Sequence, residues 1–135
     1  MTRCVFDTNI LVSALLFRAS VPGRAFERAL DKSVILVSEP LVDELEHVLD
    51  RAKFDQYVSR EIREAFLVSL IRESRLVEIV EAVQACRDAD DDKILELAVN
   101  GHAEFIVTGD ADPLILNPFR GIRIVTPAEF LESSV

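Results

Sequence analysis

The sequence predicts an α/β fold, a parallel sheet with helices on both faces. Continuous apolar runs of strand length recur at residues 4–6, 34–37 and 105–107, and residues 122–125 form a last short strand. Between them lie longer segments whose apolar residues repeat with the period of a helix. Strands alternating with helices imply right-handed crossovers and hence parallel neighbours. The length of 135 residues, half of them apolar, suits a single domain spanning residues 1–135, with one core and no linker or repeat. The longest apolar run, residues 10–17, is interrupted by Ser13 and falls well short of the ~20 residues a membrane span needs. Asp7 and Asn9 would sit inside the apolar region of a signal peptide, so the expectation is a cytoplasmic protein with no membrane association. Cys4 and Cys86 lack metal-ligand spacing and read as buried or idle thiols.

The first strand, Cys4-Val5-Phe6, runs straight into Asp7. Residues 10–17 then form a helix too apolar to expose more than a narrow side. Residues 20–23 make a break, and residues 24–30 a short amphipathic helix with Phe26 and Leu30 on one side. After the strand at 34–37, Ser38 is placed to cap a helix over 39–50, with Pro40 tolerated in its first turn. At about 100° per residue, Leu41, Val42, Leu45, Val48 and Leu49 form one stripe and Asp43, Glu46 and Asp50 fall opposite. Glu44 stands at the border of the buried stripe, where a carboxylate needs a partner or a purpose; a rim ion pair with a neighbouring Arg or Lys is the plain explanation. A long helix follows over 59–75 with Ser59 as N-cap, its spread of apolar residues suiting either its own core or a second chain. Residues 76–80 alternate as an edge strand would.

The run Arg87-Asp88-Ala89-Asp90-Asp91-Asp92-Lys93 leads into a helix over 94–100 that stops at Gly101. Aspartates at a helix start ordinarily cap free amides and favour the positive end of the macrodipole. If Ile94, Leu95, Leu97, Ala98 and Val99 define the buried face, Asp91 points into its middle, with Asp90 and Asp92 about 100° to either side. The strand at 105–107 then exits through Thr108-Gly109-Asp110-Ala111-Asp112-Pro113, a loop-like stretch. After the last strand, Thr126, Pro127 and Glu129 supply an N-cap, a first-turn proline and a capping-box glutamate.

Ligands of open parallel sheets bind in the crevice outside the carboxyl ends of the strands. Asp7 and Asp110 leave strands there, and Glu44 and Asp91 turn inward from helices that follow strands. Two carboxylates about 4 Å apart repel by roughly 4 kcal/mol at an effective dielectric of about 20, so protons or cations must intervene. Oxygen ligands without His or Cys suit Mg²⁺ or Mn²⁺; two such ions about 3.5 to 4 Å apart clamp the attacking and leaving oxygens of a phosphodiester. The net charge of −9 argues against broad attraction to nucleic acid, yet bound cations would reverse the local field. Basic residues cluster at Arg51, Lys53, Arg60 and Arg63, commonly the mark of a solvated helix face; Arg51 and Lys53 are the candidates for substrate binding. Asp88, Asp90 and Asp92 begin an EF-hand pattern, but Lys93 stands where Gly is needed and Val99 where the final Glu belongs. There is no P-loop, dinucleotide fingerprint or nucleophile elbow.

Val-Phe-Asp-Thr-Asn-Ile-Leu-Val-Ser-Ala at 5–14, Glu44 within Leu-Val-Asp-Glu-Leu, Asp-Ala-Asp-Asp-Asp-Lys-Ile-Leu-Glu-Leu-Ala at 88–98, Val-Thr-Gly-Asp-Ala-Asp at 107–112 and Thr-Pro-Ala-Glu-Phe-Leu at 126–131 resemble, in this order, a PIN-domain protein. Within that superfamily the chain is most similar to the small prokaryotic toxin components of toxin-antitoxin pairs related to VapC. The resemblance implies a Rossmann-like three-layer α/β/α sandwich of about five parallel strands in the order 3-2-1-4-5. It also implies a Mg²⁺- or Mn²⁺-dependent ribonuclease with Asp7, Glu44, Asp91 and Asp110 as acidic ligands, Asn9 and Thr108 as supporting polar groups, a cognate antitoxin and a homodimer. Asp92 competes with Asp91 for the third position, and Asp112, followed by Pro113 rather than an apolar non-proline residue, replaces or assists Asp110.

Two other readings fit parts of the pattern. A haloacid-dehalogenase-like phosphatase also has an Asp after strand one, but needs a second Asp where Asn9 stands. A non-catalytic acidic module that binds a partner protein is the other, and the filled acidic positions speak against it.

Overall fold

In the computed structural model, which describes residues 1–133, β1 (Arg3–Phe6) is the middle strand of a five-stranded sheet ordered β3-β2-β1-β4-β5. It pairs in parallel with β2 (Val34–Val37) on one side and β4 (Phe105–Val107) on the other, with Cys4, Val5 and Phe6 opposite Phe105, Ile106 and Val107. A central parallel strand is covered on both faces and so must be apolar throughout, and Cys4, Val5 and Phe6 are all 0% exposed. β5 (Arg123–Val125) continues the sheet beyond β4, also in parallel. The predicted order 3-2-1-4-5 is the one observed.

Phe6 meets Phe26 of α2 (Val21–Lys32) and Phe130 of α7 (Pro127–Glu132) edge-to-face, both with ring centres 5.8 Å apart. These helices cover one face of the sheet. α5 (Asp92–Asn100) lies against β1, β2 and β4, with α3 (Glu39–Leu49) packed beside it. α1 (Thr8–Leu16) packs on α2 and α3.

Helix starts follow local chemistry. Ser38, Ser59 and Thr126 cap α3, α4 (Arg60–Glu73) and α7, accepting from the amides of Leu41, Ile62 and Glu129; the Thr126–Glu129 capping box is complete. The break expected at residues 20–23 is instead the first turn of α2. Ser20 is its N-cap, its Oγ accepting from the Gly23 amide at 3.2 Å. Gly23 is required by proximity rather than by flexibility, since a Cβ there would lie 2.4 Å from the Arg18 carbonyl oxygen.

The edge strand expected over 76–80 is shorter. β3 comprises only Arg75–Leu76, parallel to β2. Beyond it the chain turns onto α5, where side chains spaced four residues apart on the helix take its amides. Asn100 Oδ1 accepts from Val80 and Glu81, Glu96 Oε2 from Val83, and Asp92 Oδ1 from Ala85 and Cys86. Backbone donors that would have extended the sheet ladder are thereby satisfied by side chains. α5 also begins at Asp92, earlier than the expected residue 94, after a 3-10 turn over Ala89–Asp91. The stretch read as loop after β4 contains one helical turn, α6 (Ala111–Leu114).

Candidate active site

Asp7 and Thr108 lie side by side because β1 and β4 are neighbours that end together, Phe6 opposite Val107. Asp7 is the N-cap of α1, yet its side chain makes no capping bond; its Oδ2 instead accepts from Thr108 Oγ1 at 2.7 Å. Thr108 is 0% exposed, and the same Oγ1 accepts from the Asp110 amide at 3.1 Å. One buried hydroxyl thus ties the first strand-exit carboxylate to the loop carrying the next. Asp110 caps α6, its Oδ1 accepting from the Asp112 amide at 3.0 Å.

Against the helical-angle expectation, Asp91 lies in the 3-10 turn ahead of α5 and is partly exposed, and Asp92 is the more buried of the two. Carboxylate oxygens of Asp91, Asp110 and Asp112 all lie within 4.8 Å of one another. Asp92 is 9% exposed and has its Oδ1 committed to the amides of Ala85 and Cys86 at 2.9 and 2.8 Å, while Asp90 is exposed. Asp112 therefore joins Asp110 beside Asp91. Glu44, from the middle of α3, is paired through Oε2 with Lys93 Nζ at 3.1 Å. At the other end of the cluster, the guanidinium of Arg87 is 3.5 Å from Asp112 Oδ1.

The crowding shows in the protonation equilibria. Burial holds the Asp7 carboxyl above its ordinary range; the Thr108 hydrogen bond opposes this, and the charges of Glu44 and Asp110 add to it. Asp91 is pushed up to about 6, first by burial and then by repulsion from Asp110, Asp88 and Asp7. Such shifts arise where like charges share a site that cannot hold them all ionised without a counter-ion. Carboxylate oxygens are the donor set here, and the three-residue group is compact enough to share one ion; hard divalent cations such as Mg²⁺ and Mn²⁺ fit those donors.

Asn9 is exposed in the first turn of α1. Arg51 and Lys53 are exposed beyond the C-terminal end of α3, in and next to the 3-10 turn Ala52–Phe54, and make none of the contacts that define the carboxylate group. Lys53 Nζ lies 5.2 Å from the centre of the Phe54 ring. Their neighbour Arg63 is 3% exposed and donates to the carbonyls of Leu49 and Arg51 while pairing with Asp55, so it clasps the end of α3 to α4. The ion pair expected of Glu44 is present with Lys93, a partner that the sequence left unnamed, and the Asp92, Glu96, Asn100 row was passed over. The i, i+4, i+8 spacing of that row was visible, but nothing in it names the amides that it holds.

Among proteins of known structure, the fold is similar to VapBC2 from Rickettsia felis, described as bound to a DNA fragment from its promoter. That match has a TM-score of 0.64 and 13% identity and covers 93% of this chain and 98% of that one. It is also similar to PAE2754 from Pyrobaculum aerophilum, with a TM-score of 0.62, 14% identity and 97% and 88% coverage. VapC20 of Mycobacterium tuberculosis, described as a Sarcin-Ricin loop cleaving toxin, matches with a TM-score of 0.55, 12% identity and 89% and 98% coverage. At these identities the likeness is one of fold. In sequence, the uncharacterized protein MJ1680 of Methanocaldococcus jannaschii is 27% identical over 140 residues, covering 96% of this chain and 90% of its own. The family model of the PIN domain matches residues 3–112, which include β1, the Asp91 turn and the Thr108–Asp112 loop, and the chain belongs to the PIN domain family.

Proposed function

We propose that the protein is a metal-dependent endoribonuclease, the toxin of a toxin-antitoxin pair, and that Asp7, Glu44, Asp91 and Asp110, with Asp112, form its active site. The observation that carries this reading is the compact group of Asp91, Asp110 and Asp112 beside the Thr108-linked Asp7, at the carboxyl ends of β1 and β4 in a PIN domain. Asp91, Asp110 and Asp112 would hold Mg²⁺ or Mn²⁺, with Asp7 next to them. When bound, the ion supplies charge neutralisation for the phosphodiester and acidifies an attacking water. The chain's own part is positioning. Thr108 fixes the Asp7 carboxylate by donating to Oδ2, and the Asp110 cap holds Asp112 in place. Residues 88–91 bring Asp91 to both. No nucleophilic side chain is needed, and hydrolysis would leave 5′-phosphate and 3′-hydroxyl ends.

RNA as substrate, single-stranded or in loops, is supported by the description of VapC20 as a Sarcin-Ricin loop cleaving toxin. An antitoxin partner is supported by the VapBC2 neighbour. Exposed Ile62, Val68 and Ile71 on α4 are the apolar surface that a second chain, antitoxin or copy, would cover. No helix among the described residues is long and apolar enough to cross a membrane.

Purified protein incubated with structured RNA pools should cleave in Mn²⁺ or Mg²⁺ and stop in EDTA, and Asp7→Asn and Asp91→Asn should both abolish cleavage. Cleavage that survives EDTA or both substitutions would overturn the mechanism, and absence of any cleavage would favour an acidic partner-binding module.

A further inference from the structure

Lys93 is the second residue of α5, directly after the aspartates of the 88–92 run. Its Nζ lies 3.1 Å from Glu44 Oε2 and 3.9 Å from Asp90 Oδ1. Glu44, although it is within electrostatic reach of Asp7, stands outside the group of carboxylates close enough to share an ion, which is Asp91, Asp110 and Asp112. The acidic crevice thus has a cation at each end, unequally held: the Arg87 guanidinium, 88% exposed, stands 3.5 Å from Asp112, whereas the less exposed Lys93 ammonium stands 3.1 Å from Glu44. Both side chains of the Lys93–Glu44 pair are about one-third exposed, at 37% and 32%, so their pairing is open to exchange with solvent ions.

We propose that Lys93 is a built-in counter-cation that occupies the Glu44 end of the site, so that the protein binds one divalent ion, at Asp91, Asp110 and Asp112, rather than two. This rests on the metal-site reading above. A divalent ion on the same Glu44 oxygen would stand within about 5 Å of the ammonium, adding the ordinary metal–oxygen distance to the Lys93–Glu44 separation. Repulsion between these like charges opposes the second ion. Lys93 thus acts through Glu44, as a positioning and charge-setting residue that need not touch substrate.

The test is the number of Mn²⁺ ions bound, measured by calorimetric titration and by the electron paramagnetic resonance signal of free Mn²⁺, without RNA. Wild type and Lys93→Arg should bind one equivalent at sub-millimolar concentration. Lys93→Met, which keeps the aliphatic stem and removes the charge, should gain a second equivalent. The double variant Lys93→Met with Glu44→Gln should return to one. Thermal unfolding midpoints of the four metal-free proteins should show that all are folded. The proposal is overturned if wild type binds two equivalents, if Lys93→Met binds one, or if the second equivalent persists in the double variant; in those cases the metal site itself stands. Failure of every protein to bind Mn²⁺ overturns the metal-site reading together with this one.

Discussion

Replacing Asp91 with Asn should make the metal-free protein more stable at neutral pH while removing its activity. Asp91 has its pKa raised from 3.8 to about 6. Between those values the folded protein binds more protons than the unfolded chain, so stability falls as pH rises through that window, and the penalty is complete above about pH 6. At about 1.4 kcal/mol per pH unit the gap sets a ceiling of about 3 kcal/mol. Asp91 is partly exposed, and solvent screening reduces this to about 1 kcal/mol. For a domain of this size, that is a rise of roughly 3–5 °C in the unfolding midpoint. Asn keeps the shape and can donate to Asp110, so the substitution removes charge without opening a cavity. The assay is thermal unfolding of both proteins in EDTA at pH 7.5 and at pH 5. Asp91→Asn should unfold at the higher temperature at pH 7.5, and the difference should shrink at pH 5, where wild-type Asp91 takes up a proton. Mn²⁺ at pH 7.5 should reverse the order, because an ion bound to the native state stabilises wild type more. A variant less stable than wild type in EDTA at pH 7.5, or a difference unchanged by pH, would refute the argument that crowded negative charge strains this site.

Two further outcomes concern the groups that hold the site in place. Asp92→Ala leaves the amides of Ala85 and Cys86 without their acceptor and should destabilise the fold by about 2 kcal/mol; hydrogen exchange should quicken at those two amides more than in the β1–β4 core. Thr108→Val keeps the volume but removes the hydroxyl between Asp7 and the Asp110 amide. The metal-dependent rate should fall at least tenfold, about 1.4 kcal/mol of transition-state stabilisation, and normal activity in this variant would show that the link is dispensable.

Much of the fold was legible because its cues are local. Strands buried on both faces must be continuous apolar runs, and helix starts announce themselves through Ser38, Ser59 and Thr126, whose oxygens reach amides within the same turn. The misread start of α2 is instructive. Pro22 and Gly23 ordinarily punctuate a chain, but proline is tolerated in a first turn and Gly23 is needed where the helix runs close to the Arg18 carbonyl. The shortened β3 has the opposite cause. Alternation at 76–80 suits a strand, but the acceptors that end it belong to α5.

The candidate site divides in the same way. Sequence by itself determined that Asp7 and Asp110 follow strands, since the apolar runs that end before them mark those strands. Only the tertiary structure decided that Asp112 stands with Asp91 and Asp110, that Asp92 is spent on the 80–86 segment, and that Glu44 meets Lys93. The physical reason is that a carboxylate's place at a strand end is set by its own element, whereas its partner is set by whichever distant segment the packing brings within about 3 Å. For Glu44 and Lys93 that packing joins residues separated by 49 positions in the chain.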